Sequence, residues 1–130
     1  MTKDEHIKYW LESAQYDFET AQSLFQNKKF SWTLFLGHLV LEKILKAKYV
    51  QDNDNQVPPK LHDLVRLSEL TKLTLTEEQK LFLDEVNDFN LEARYPDYKQ
   101  SFYKKCTEDF TAGYFKKIEE YYQWLKFQLK

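Results

Sequence analysis

Residues 32–49 read WTLFLGHLVLEKILKAKY, and the spacing of their apolar side chains decides the fold. Trp32, Phe35/Leu36, Leu39, Leu41, Ile44/Leu45 and Tyr49 recur at steps of three and four, the period of a helix rather than of a strand. Leu39, Leu41, Leu45 and Ala47 make this helix apolar on most of its circumference, so some of its charges must be partly buried.

The chain extends that pattern in both directions. Asn27-Lys28-Lys29 breaks it on the N-terminal side. Before the break, Ile7, Trp10/Leu11, Ala14, Phe18, Ala21 and Leu24/Phe25 form one stripe, and Thr2 with Glu5 reads as a capping box. A first helix is therefore expected from about residue 3 to 27, and a second to about 51. So short a turn makes them antiparallel neighbours. On the other side, residues 52–59 are polar, end in Pro58-Pro59 and have no period, which marks a loop. Leu61, Leu64, Leu67 and Leu70 predict a short third helix. Thr76 with Gln79 caps a fourth, carried by Leu81/Phe82, Val86, Phe89 and Ala93 to Arg94, where Pro96 stops it. Phe110, Tyr114, Ile118, Tyr121/Tyr122, Leu125 and Leu129 predict a long final helix from about Ser101 to Leu129. The expectation is an all-α single domain over 1–130, an up-and-down bundle of four main helices plus a short extra one.

Composition agrees. Two Gly and three Pro in 130 residues are too few turn residues for an all-β sandwich or barrel. A 42% hydrophobic, 17% aromatic chain has apolar area enough for a core, which excludes disorder as the main state. The 22 aromatic residues exceed what one small bundle core needs, so a homodimer is expected. A single Cys, Cys106, builds neither a disulfide nor a zinc site and suits a reducing, cytoplasmic setting. No apolar run is long enough to cross a membrane, and no membrane partner is expected.

A net charge of -2 gives no overall basic field, so any binding of nucleic acid must come from a local patch. Residues 73–97 hold seven acids and two bases, a net of -5, while residues 99–130 hold seven Lys and four acids, a net of +3. The final helix can thus attract a polyanion or its own acidic fourth helix.

Two groups of residues can carry chemistry. His38, Glu42 and Lys46 stand four apart on one face of the second helix, so Glu42 can meet either neighbour. They form either a solvated ion-pair row or a partly buried cleft. The second group follows from rarity: 17 of the 19 basic residues are Lys, and the two Arg are Arg66 and Arg94. Arg66 follows His62-Asp63, either of which can cap the third helix. Arg94 opens Arg94-Tyr95-Pro96-Asp97 at a helix end, where its planar fork can hold a phosphate or carboxylate bidentately. A structural salt bridge to Glu42 or Asp97 is the competing role. Gly-rich phosphate loops, paired Cys and zinc-type His spacings are absent, so neither metal nor cofactor is expected.

Together these motifs resemble the HEPN family, the higher eukaryotes and prokaryotes nucleotide-binding domain. Trp10, Ala14, Asp17 and Ala21 resemble its first-helix signature, and Phe35, Leu41-Glu42-Lys43 and Lys46-Ala47 its Glu-Lys-x-x-Lys-Ala helix. Pro59 with Leu61-His62-Asp63-Leu64 is similar to its loop and His-Asp-Leu element, and Arg94-Tyr95-Pro96-Asp97 to its Arg-Tyr-Pro-Asp turn. The resemblance implies a dimerising bundle with Arg94 in a cleft. It also implies one of two activities: metal-independent RNA cleavage, or a non-catalytic role beside a small nucleotidyltransferase.

The ribonuclease branch places a His four to six residues beyond the Arg, and residues 95–101 contain none. Lys99 stands near that place but is a poor base at neutral pH. The resulting expectation is a non-catalytic phosphate binder acting with a nucleotidyltransferase in a toxin–antitoxin-like pair. Arg94, Lys43, Lys46 and Lys99 would bind, Glu42 would orient Arg94, Asp97 would fix the turn, and His38 and His62 would support. The alternatives are a ribonuclease whose displaced base is His38 or His62, and a purely structural dimerisation module.

Overall fold

The computed structural model describes residues 1–129, Pro96 by its backbone alone. Six helices run in order: α1 (Lys3–Gln26), α2 (Phe30–Asp52), α3 (Leu64–Glu69), α4 (Glu77–Arg94), α5 (Pro96–Lys105) and α6 (Glu108–Gln128). No strand occurs among the described residues, and no helix among them is long and apolar enough to cross a membrane.

The starts of α1, α3, α4 and α6 follow the capping rules. Thr2 Oγ1 accepts from Glu5 N at 3.1 Å while Glu5 Oε1 accepts from Thr2 N at 3.0 Å, and Thr76 with Gln79 repeats the arrangement on α4. Asp63, not His62, caps α3, accepting from Val65 N and Arg66 N. That cap starts α3 at Leu64, three residues later than the Leu61 of the periodic reading.

The C-terminal third differs more. In place of one helix from Ser101 to Leu129 there are two, separated at Cys106-Thr107. Pro96 opens α5, because a residue without an N–H suits a first turn as well as it ends a preceding helix. Thr107 then starts α6 afresh, its Oγ1 accepting from Phe110 N at 3.2 Å with Glu108 and Asp109 behind it. Cys106 therefore sits at the C-cap of α5 rather than inside a helix, and burial pushes its thiol up to about 12.

The central helix is α2. It packs against each of the other five, and 13 of its 23 residues are buried, as its near-continuous apolar surface requires. Leu34, Leu41, Ile44 and Leu45 meet Phe82, Val86 and Phe89 of α4, Phe102 of α5, and Ile118 and Tyr122 of α6 in one core. Gly37 lets α6 approach closely: a Cβ there would lie 2.8 Å from Ile118 Cδ1. The acidic α4 touches α6 through rings and the Tyr114 hydroxyl, which donates to Glu85 Oε2 at 2.5 Å. With three Lys against four acids, α6 itself is not basic, because Lys99, Lys104 and Lys105 of the basic stretch fall in α5. Among the described residues no ion pair joins these two helices.

Candidate functional site

Buried charge on α2 is organised around Glu42. Its Oε2 accepts from Lys46 Nζ at 3.0 Å, and its Oε1 accepts from His62 Nδ1 at 2.9 Å. His38 Nδ1 stands farther off, 3.9 Å from the same Oε1. The four-residue spacing puts all three α2 groups on one face. Glu42 and Lys46 are both buried, which is tolerable because each neutralises the other. The Lys46 ammonium also lies 5.4 Å from the centre of the Trp10 ring.

A second chain of hydrogen bonds leads from His62 to Arg94. The carbonyl of His62 accepts from His38 Nε2 at 2.9 Å, and on the other side of the ring Asn90 Nδ2 meets His38 Nδ1 at 3.3 Å. Asn90 Oδ1 accepts from Arg94 Nη2 at 2.6 Å, and the Asn90 carbonyl accepts from Arg94 Nε at 3.0 Å. Donor counting fixes every orientation. A guanidinium only donates, so the amide oxygen must face it, and the amide N–H then points at a ring nitrogen that must carry a lone pair. The remaining ring nitrogen carries the proton and donates to the carbonyl. His38 is thus neutral, and its complete burial pulls its pKa below the ordinary imidazole value, against an opposing pull from Glu42. The Asn87 amide accepts from Leu64 N at 2.8 Å and donates to Asp63 Oδ1 at 2.9 Å.

Arg94 is exposed at the end of α4. Its guanidinium carbon lies 6.0 Å from the Phe35 ring centre and 5.5 Å from that of Tyr95. Among the described residues no carboxylate is paired with it. Its anchors are neutral groups, an amide and a backbone carbonyl, so its full charge is available to an anion.

The expected roles of several residues change accordingly. Glu42 orients His62, not Arg94. Lys43 is closed by Asp17 of α1 at 2.7 Å and Lys46 by Glu42, so neither supplies free positive potential. Asp97 makes no ion pair with Arg94; it lies exposed in the first turn of α5, where the helix dipole favours a carboxylate. Lys99, also exposed on α5, sits 5.4 Å from the centre of the Trp32 ring. Arg66 lies on the surface, 3.8 Å from Glu69. Asn90 is the residue of this candidate site that the sequence does not reveal. Its one visible signal was the four-residue step to Arg94, and its link to His38 spans 52 residues.

The class of protein these features define is an all-α bundle whose fourth helix ends on an open arginine, held from beneath by the central helix. Residues 7–128 match the family model described as the HEPN domain, and the chain belongs to that family. Its fold is similar to that in the crystal structure of TT1696 from Thermus thermophilus. The two share 19% identity with a TM-score of 0.64, over 88% of this chain and 97% of that one. No curated protein matches the chain.

Proposed function

We propose that this HEPN domain binds a phosphate group of a nucleotide or nucleic acid at Arg94 and is itself non-catalytic. One observation carries the reading: an exposed guanidinium, positioned by the neutral side chain of Asn90 and paired with no carboxylate among the described residues. A phosphate can take the outward edge of that fork bidentately. The Phe35 and Tyr95 rings beside it offer apolar surface to a base. Calorimetric titration with nucleotides and short RNA tests the reading: heat from at least one of them, lost in Arg94→Ala with the fold intact, supports it. No heat from any counts against it.

The wider setting belongs to the same proposal. A homodimer is supported by the exposed Tyr95, Tyr98 and Tyr103 around α5, and is checked by light scattering of the eluting protein. A cytoplasmic location is supported by the single cysteine. The nucleotidyltransferase partner and the toxin–antitoxin pairing rest on the family resemblance, and co-purification with such an enzyme is their test.

A ribonuclease with a displaced base has one observation in its favour. His62 Nδ1 is held by buried Glu42 while the side chain is 63% exposed, so Nε2 presents a lone pair to solvent, as a general base requires. The adjoining cavity of about 310 Å³ is bordered by His62, Asn87 and Asn90 but also by Asp63 and Asp84. Two carboxylates there repel a phosphodiester, and Arg94 does not border it. The non-catalytic reading is therefore the stronger. RNA cleaved in the presence of chelator, and left whole by His62→Ala, would reverse that order.

A further inference from the structure

A cavity of about 550 Å³ lies away from the Glu42 network, between the α1–α2 turn and α5. That size is within the roughly 300–1,000 Å³ of small-ligand sites. Three lysines line it, Lys28, Lys29 and Lys99, and no acidic residue among the described ones does. None of the three is in an ion pair with a carboxylate among the described residues. Phe30, Trp32 and Tyr103 supply aromatic walls.

The backbone sets where these lysines stand. Lys28 adopts a left-handed φ of 61°, and the N–H groups of Lys28 and Lys29 turn back onto Phe25 and Leu24. This turn carries the chain directly into α2, whose first turn has no side-chain cap and no acidic residue. Its leading N–H groups are therefore unclaimed by any side chain. On the opposite wall, Lys99 rests 5.4 Å from the Trp32 ring centre in place of an ion-pair partner. A cation is easily drawn off such a ring by a phosphate, and the bared indole face then accepts a planar base.

We propose that this cavity is a second site, which binds a nucleoside phosphate: the phosphate among Lys28, Lys29 and Lys99, the base against Trp32. It stands on its own observations and does not require the reading of Arg94. Trp32 meets Phe35 edge-on at 5.6 Å, and Phe35 in turn lies beneath Arg94. The same nucleoside phosphate can therefore arrive free, or as one unit of a single strand with a neighbouring phosphate on Arg94.

Adenosine 5′-monophosphate, inorganic phosphate and a tetra-adenylate are titrated into the full chain, with tryptophan fluorescence as the readout. The adenosine nucleotide is expected to quench, and the quench to disappear in Trp32→Phe. Lys28→Asn/Lys29→Gln, which keeps a residue tolerant of the left-handed turn, is expected to weaken its binding at least about tenfold. Arg94→Ala is expected to leave that binding unchanged. If Arg94→Ala weakens tetra-adenylate alone, a strand bridges both sites; if it weakens neither ligand, the site takes free nucleotide. The proposal is overturned if the lysine variant binds the nucleotide like the parent. It is equally overturned if the parent binds neither nucleotide nor tetra-adenylate, or if inorganic phosphate competes as strongly as the nucleotide.

Discussion

Arg94 holds the amide oxygen of Asn90 at 2.6 Å, and through that contact a surface cation fixes the tautomer of a histidine buried in the core. The arrangement is mutual. His38 can keep its amide partner only while neutral, and Asn90 can present its oxygen to Arg94 only while His38 accepts the amide N–H.

Asn90→Leu should break both halves at once. Removing the amide takes from the buried His38 Nδ1 its partner at 3.3 Å, at a cost of about 1–3 kcal/mol. It also frees the guanidinium to wander, weakening phosphate binding. Denaturant unfolding and titration with the same nucleotide check the two effects together. An unchanged stability would show that the contact is incidental.

The pH response follows from His38, whose folded pKa lies below its ordinary value because the ring is buried. In the unfolded chain the ring takes up a proton near pH 6.5, while the folded protein resists it. Its contribution is therefore fully present above about pH 6.5 and declines as acid takes the pH down toward the folded value. A protonated ring would also set Nδ1–H against the Asn90 amide and turn it away from Arg94. Unfolding midpoints measured between neutral and mildly acid pH should fall in the parent and fall less in His38→Gln.

Glu42→Ala should be the most damaging single change. It leaves the Lys46 ammonium buried and unpaired, a loss of about 3–5 kcal/mol. Glu42→Ala/Lys46→Met removes the stranded charge and should recover much of that stability. Equal losses in the single and double variants would show that Lys46 reaches solvent on its own.

Gly37 and Ile118 offer a test of packing. Gly37→Ala drives a methyl toward Ile118 Cδ1 and should cost about 1–3 kcal/mol, offset by up to about 1 kcal/mol of helix propensity. Ile118→Val deletes the atom in the way. The double variant should therefore be more stable than the sum of the single changes allows, which a double-mutant cycle measures directly.

Most of the helices were legible because capping pairs and three-and-four spacing are local signals. Thr2 with Glu5 and Thr76 with Gln79 marked two starts, and the apolar wrap of residues 32–49 marked the central helix. The break at Cys106-Thr107 was not read, because Phe102 and Cys106 keep an apolar period alive up to Phe110 and hide the cap at Thr107. Arg94 stood out through rarity and its position at a helix end. The partner of each charge was not legible: Lys43 with Asp17 and Glu42 with His62 join separate elements, and only packing selects among the available acids. Asn90 was invisible because a lone asparagine carries no pattern until His38 is folded against it.

The chain contains only two arginines, which makes the central claim directly measurable by nitrogen NMR of the side-chain Nε–H groups. Arg66→Lys assigns the two signals, and a short single-stranded RNA is then added. The account predicts that the Arg94 signal shifts progressively to saturation while that of Arg66 stays in place. An Arg94 signal that never moves, at concentrations where the RNA is shown to bind elsewhere or not at all, would contradict it.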